Sequence, residues 1–473
     1  MSEWINKNFL CPITPRWLLE ISVSVFLAAL IVIFKPLGLN FSQSATVAGL
    51  VLVVIWWTVG TVKKIPASLF LLGWFCVFSG APKAVIFTFP LSETFIMLIV
   101  TYIFSRAISN CGMIDKTLLP ILIKYCNTPL KLILATVGAM FATIYIIPQP
   151  VARILLVAVV LDSFLKRTSV PKGAYSVFMY GIFVFYSAVN IGWRDGDIIM
   201  NMMAASSGAK FISNWEWVKI MFIPTLGYLA LIIAVFMVVF RKELKGVKIE
   251  LLPDAEAVET RFIGKDLYSL WIILITVFLW ATSSLWGNGI LLFGYITPST
   301  AVTAIATVLL FIIGGLKHKD LFAVDVVTMT FLAAAFSIGG VMKACGAAEI
   351  IFGKFESLFP KEFSVGYLFL MMLVAMLLHM LLGSITTTIS VVIPGLTLIC
   401  QSVVPPQIIV FAAVLGTSYH AILPFHSVTL MLGASNGYFP SSFIPRLGIA
   451  STPFVFLAAA FIYLPYWRLI GLV

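Results

Sequence analysis

Four polar stretches interrupt a largely apolar sequence, and they hold the residue types that recognise charged solutes. The first is Pro148-Gln149-Pro150, with Arg153 one turn later. A guanidinium within an apolar helix is expensive, so Arg153 needs either a carboxylate partner, such as Asp195 or Asp197, or an anionic ligand. The second is Ser384-Ile385-Thr386-Thr387-Thr388, four hydroxyls opening a helix. Hydroxyls there either cap the helix or hydrogen-bond a solute carboxylate. The third is Gly192-Trp193-Arg194-Asp195-Gly196-Asp197, which reads as an unwound, wet segment or as a loop outside the membrane. The fourth, His420 to Ser427 with Thr429 beyond it, carries a break at Pro424 and two histidines able to relay protons or donate to an anion. His379 reads as an ordinary hydrogen-bonded core residue.

Other chemistries find no footing. There is no phosphate-binding loop, nucleophile motif or Cys/His cluster in the sequence. The six cysteines are scattered and read as small core residues. An enzyme, an ATP-driven pump, a resident metal and a cofactor are therefore not expected. Sodium or a proton enters only as a coupling ion.

These stretches must be held by membrane helices. Hydrophobic residues make up 61% of the chain and charged ones 10%, with a mean hydropathy of +1.09. A soluble surface needs roughly 25% charged residues, so lipid must cover much of this molecule. Apolar spans are expected at 17–35, 45–62, 66–80, 93–109, 174–190, 218–240, 268–287, 297–314, 325–342, 407–420 and 446–470. Two more apolar pairs are broken midway: 130–147 with 151–164 at Pro148-Gln149-Pro150, and 364–383 with 388–402 at Gly383 to Thr386. Proline removes a backbone donor and clashes with the preceding turn, so the first break is enforced. The fold class predicted is an all-α polytopic membrane protein of about 11 transmembrane helices with two re-entrant hairpins.

The net charge of +11 follows the positive-inside pattern rather than a nucleic-acid surface, and no nucleic-acid partner is expected. With the N-terminus cytoplasmic and both hairpins re-entrant, 19 of the 30 basic residues fall on the cytoplasmic side. The N-terminus lacks a signal-peptide cleavage site, which makes the first apolar run a permanent span. The expected location is a cell membrane, of the bacterial inner-membrane kind.

The two halves read as a repeat. Phe104-Ser105 and Cys111-Gly112 have counterparts in Phe336-Ser337 and Cys345-Gly346, and Met203 to Gly208 has one in Leu432 to Gly437. An odd number of spans between matching points inverts the second copy. The divisions are an N-terminal span at 1–35, a first inverted repeat at 36–240 with its hairpin at 130–164, a cytoplasmic linker at 241–265, and a second repeat at 266–473 with its hairpin at 364–402. Inverted repeats with helices broken at matching places belong to secondary transporters.

Two halves, two hairpins with polar tips and an unwound segment after each resemble the divalent anion/sodium symporter family, over nearly the whole chain. Lys64-Ile65-Pro66-Ala67 and the Gly112 region share in the resemblance. It implies an elevator-type homodimeric carrier of dicarboxylates, citrate or sulfate, with sodium at Ser-Asn-Thr hairpin tips. Ser384-Ile385-Thr386 keeps two of those three residues and Pro148-Gln149-Pro150 keeps none. Arg153 can then stand where a sodium ion would, leaving proton coupling through Asp197 or His426, or exchange. The expected function is secondary active transport of a small organic anion by alternating access. Gln149, Arg153, Ser384, Thr386, Thr387, Thr388, His426, Ser427 and Thr429 would hold the solute, and Arg194, Asp195 and Asp197 the coupling ion. The alternative is a cation/proton antiporter using Asp195 and Asp197, or a proton-coupled exchanger.

Overall fold

The computed structural model describes residues 14–144, 146–147, 150–252, 260–286, 296–354, 356–382, 385–423 and 426–473. Helices dominate them, and the sole β-type pairing among the described residues is an isolated bridge between Thr168 and Leu251. Lipid offers backbone groups no partners, so long apolar runs satisfy their own as helices. The first half comprises α1 (Pro15–Phe34), α2 (Phe41–Val59), α3 (Lys64–Phe78), α4 (Lys83–Ile86), α5 (Glu93–Asn110), α6 (Met113–Tyr125), α7 (Pro129–Thr143), α8 (Pro150–Lys166), α9 (Lys172–Ile191), α10 (Met200–Ser207), α11 (Asn214–Val239) and α12 (Arg241–Leu244). The second comprises α13 (Lys265–Trp286), α14 (Pro298–Ile312), α15 (Val326–Ala344), α16 (Ala347–Gly353), α17 (Val365–Leu382), α18 (Ile385–Cys400), α19 (Pro406–Ser418), α20 (Val428–Ser435), α21 (Phe443–Ala458) and α22 (Leu464–Leu469).

Five helical runs among the described residues are long and apolar enough to cross a bilayer unaided, and seven shorter apolar helices accompany them. Their outer faces carry large exposed apolar side chains, among them Leu18, Phe26, Ile33, Phe278 and Leu469. Such surface is stable only against lipid or another apolar partner. The chain is an all-α polytopic membrane protein.

The second half follows the element order of the first, and the two exchange equivalent contacts. Helix α3 packs on α15 as α14 packs on α5. The pairs α6–α8, α7–α8, α8–α9 and α7–α9 recur as α16–α18, α17–α18, α18–α19 and α17–α19. Helix α9 meets α20 as α19 meets α10, while α11 and α21 pack on each other. The bends between α5 and α6 and between α15 and α16 share one device. Gly112 and Gly346 both adopt positive φ, +65° and +73°, immediately after a cysteine. Only glycine takes that conformation without steric cost, so the recurring Cys-Gly marks a recurring turn.

The first broken pair is a hairpin. Ile249 N–H donates to the carbonyl of Asn127 (3.3 Å), just before α7, and Leu252 N–H to that of Arg167 (2.9 Å), just after α8. Residues 249 and 252 are at most about 10 Å apart, whereas each helix is about 22–26 Å long. The feet of α7 and α8 therefore lie together, and the helices enter and leave on one face. Arg446 reaches the same face through an ion pair with Glu243 (2.5 Å). In the second half α17 and α18 pack along each other, with Tyr367 near the start of α17 beside Cys400 at the end of α18.

Candidate functional site

Helix α8 buries Arg153 completely. Its guanidinium donates to the carbonyls of Ile144 (3.4 Å) and Ile147 (3.2 Å), which trail off the end of α7. It also donates to Asn190 Oδ1, at the end of α9, and to the carbonyl of Gly196 in the unwound segment. The Tyr186 ring lies 5.5 Å from the guanidinium carbon. Four oxygens from three broken ends thus converge on one fixed cation. Oxygens exposed by unwinding need hydrogen-bond donors where no water reaches, and the arginine supplies four of them.

The ion pair expected between Arg153 and Asp195 or Asp197 is not formed. Arg194 pairs with Asp195 instead, at 3.0 Å. Asp197 Oδ1 accepts from the N–H groups of Ile199 (3.0 Å) and Met200 (2.8 Å) and so opens α10. The two terminal nitrogens of Arg153 are occupied by protein oxygens. Its Nε alone lacks a partner among the described residues. Asn201 completes the cradle, its Nδ2 donating to the carbonyls of Asn190 and Trp193, each at 2.8 Å. Asn190 and Asn201 escaped the sequence reading. Amides within apolar runs carry the same cost signal as Arg153, in weaker form.

The matching place in the second half is built from imidazoles. His379 near the end of α17, His420 just past α19 and His426 before α20 are all buried. His420 and His426 stand six residues apart, as Asn190 and Gly196 do. The His379 ring centroid is 4.9 Å from each of the other two. His379 has the hydrogen bond expected of it, but not the isolation.

Gln149 and Ser384 lie outside the described residues. Thr386 is half-buried, and Thr387 and Thr388 are buried on the first turn of α18, the helix against which α10 packs. That contact brings the element after the first unwound segment to the helix opening at the second tip. Ser427 accepts from Leu430 N–H at 3.5 Å and lies 2.9 Å from Thr429 Oγ1, so it caps α20. A cavity of about 40 Å³ sits between α9, α11, α19 and α21, lined by Ser187, Tyr228, Ser418, Tyr419 and Ser451. It has room for water. Beside it, Tyr228 stacks on Tyr419 at 3.8 Å, and Tyr419 and Tyr463 share a hydrogen bond of 2.7 Å.

No family model and no curated protein matches the chain. Among solved structures it is similar to the YdaH transporter of Alcanivorax borkumensis, described as having an unusual topology. Identity is 15%, over 82% of this chain and 86% of that one, with a TM-score of 0.49.

Proposed function

We propose that this chain is a secondary transporter of a small organic anion, working by alternating access, in which Arg153 stands in for a coupling sodium ion. The carrying observation is the Arg153 cradle: four oxygens, three of them backbone carbonyls, gathered round one fixed charge. Unwound carbonyls of this kind coordinate sodium in transporters with broken helices. A guanidinium in that place cannot leave, so the first half would not release an ion in each cycle. The reciprocal contacts of the halves support an inverted repeat, the arrangement that generates inward- and outward-open states. The hydroxyls of Thr386 to Thr388, with the adjoining α10, are the surface proposed to meet the solute carboxylates.

The resemblance to the divalent anion/sodium symporters enters as part of this reading. So do an elevator movement, a homodimer, a cytoplasmic N-terminus and a di- or tricarboxylate cargo. The cation/proton antiporter is less well supported, because Asp195 and Asp197 are already bonded.

Uptake of labelled di- and tricarboxylates and sulfate into proteoliposomes, with and without a sodium gradient, tests the reading. Saturable uptake of one carboxylate with weak sodium dependence is expected. Full sodium dependence at the stoichiometry of a two-sodium carrier would refute the stand-in role. Conduction without saturation would refute the carrier.

A further inference from the structure

We infer that His379, His420 and His426 form a binding site for a divalent transition-metal ion of the zinc class. Each contributes one ring nitrogen, and the three nitrogens lie within 4.8 Å of one another. The donors come from three separate elements: the end of α17, the second residue after α19 and the approach to α20.

Tautomer chemistry favours the assignment. A carbonyl can only accept, so His379 Nε2, 3.2 Å from the carbonyl of His426, must carry the proton and donate. Its Nδ1 is then the lone-pair nitrogen, and it has no partner among the described residues. Metal-bound histidines are held in just this way, one nitrogen on the metal and the other donating to a carbonyl. Neither nitrogen of His420 makes a hydrogen bond of full geometry among the described residues, its one backbone neighbour being Gly416, although the residue is 2% exposed. An imidazole buried without hydrogen bonds is costly, and a ligand on its nitrogen removes that cost. His426 Nδ1 accepts from the N–H of Leu423 at 3.5 Å, which fixes the ring beside the other two imidazoles.

Size fits with a small adjustment. With no edge of the triangle longer than 4.8 Å, its centre lies at most about 2.8 Å from each corner, and zinc–imidazole bonds are about 2.0–2.1 Å. Inward movement of at most about 0.7 Å per ring closes the site. Neutral nitrogen donors select zinc, cobalt, nickel or copper over sodium, calcium or magnesium, which prefer oxygen.

The location gives the site a task. In the first half, Arg153 ties the end of α7 to the end of α9 and to the unwound segment. In the second half, a metal on the three imidazoles would tie the end of α17 to the end of α19 and to the segment before α20. One half carries a built-in cation, and the other takes its cation from solution.

The test uses the full chain, freed of any histidine tag, in detergent. Cobalt(II) titration should give visible ligand-field absorption saturating at one ion per chain, displaced by zinc but not by magnesium. His420→Ala and His379→Gln should each weaken binding by more than about 100-fold, beyond the loss of a merely orienting partner. His318→Ala, the remaining histidine, should leave binding unchanged. Size-exclusion profiles and helical circular dichroism establish which variants fold. If the triad variants do not, the wild type alone decides: zinc should raise its unfolding midpoint relative to chelator. Binding that survives in both folded triad variants overturns the proposal, as does a folded wild type that neither binds cobalt nor is stabilised by zinc.

Discussion

The Arg153 cradle and the histidine triad occupy corresponding places in the two halves and solve one problem with opposite chemistry. In the first half a cation is surrounded by oxygens, with Asn190 and Gly196 supplying two of them. In the second, the residues at the same spacing, His420 and His426, are nitrogen donors with no fixed positive charge among them. Backbone plan is shared and side-chain chemistry is not. On the proposed metal site, one centre is sealed and the other open to exchange.

Arg153→Leu should break the comparison most severely. It leaves four buried oxygens without their donor, at about 1–3 kcal/mol each. Loss of folded protein is the expected outcome in detergent thermal unfolding, with Arg153→Lys intermediate. If the Leu variant unfolds like the wild type, the cradle holds nothing together.

Gly196→Ala and Gly448→Ala come next. A Cβ at Gly196 would lie 2.4 Å from the carbonyl oxygen of Asn190, and one at Gly448 2.1 Å from that of Ala421. Backbone must move in both cases, at about 1–3 kcal/mol or more. The first substitution should disturb the arginine side alone. The second should weaken cobalt binding beside His420, which metal titration of the two variants reads directly.

Gly112→Ala and Gly346→Ala sharpen the shared frame. Both need positive φ, at a cost of about 1–2 kcal/mol. Equal falls in unfolding midpoint are expected, and a fall at one site only would deny that the bends are equivalent.

The smallest effect is expected at the polar face. Arg446 hydrogen-bonds the Glu243 carboxylate and holds it below the usual carboxylate range. A lowered folded-state pKa adds stability above the ordinary carboxylate value, and that stability fades as pH falls through the lowered one. Glu243→Gln should therefore cost at most about 1 kcal/mol at neutral pH. The unfolding curves of variant and wild type should converge in acid.

Much of the frame was legible because its signals are local. A proline pair breaks a helix wherever it lies, and the repeated Cys-Gly marks matching points in the two halves. Spans expected at 66–80, 93–109 and 407–420 appear as Lys64–Phe78, Glu93–Asn110 and Pro406–Ser418. Helices α6 and α16 were missed, because one carries Asp115, Lys116 and Lys124 and the other is a seven-residue turn too short to span. The centres were harder to read. Arg153 announced a need for a partner, but backbone carbonyls leave no trace in side-chain identity, so carboxylates were sought instead. His379 stands far along the chain from His420, and only the hairpin brings them together. Asp195 and Asp197 looked available for ions because their local bonds form only once the segment folds.

The three backbone hydrogen bonds that join residues 249–252 to Asn127, Arg167 and Ser169 have a mechanical meaning. They moor the feet of the first hairpin to the strap between the halves. Any rise or fall of that hairpin must either carry the strap along or tear it loose. From Leu252 to the start of α13 at Lys265 the covalent leash is about a dozen residues, a reach of roughly 40 Å when taut. That length sets the greatest distance at which the moored feet can lie from α13.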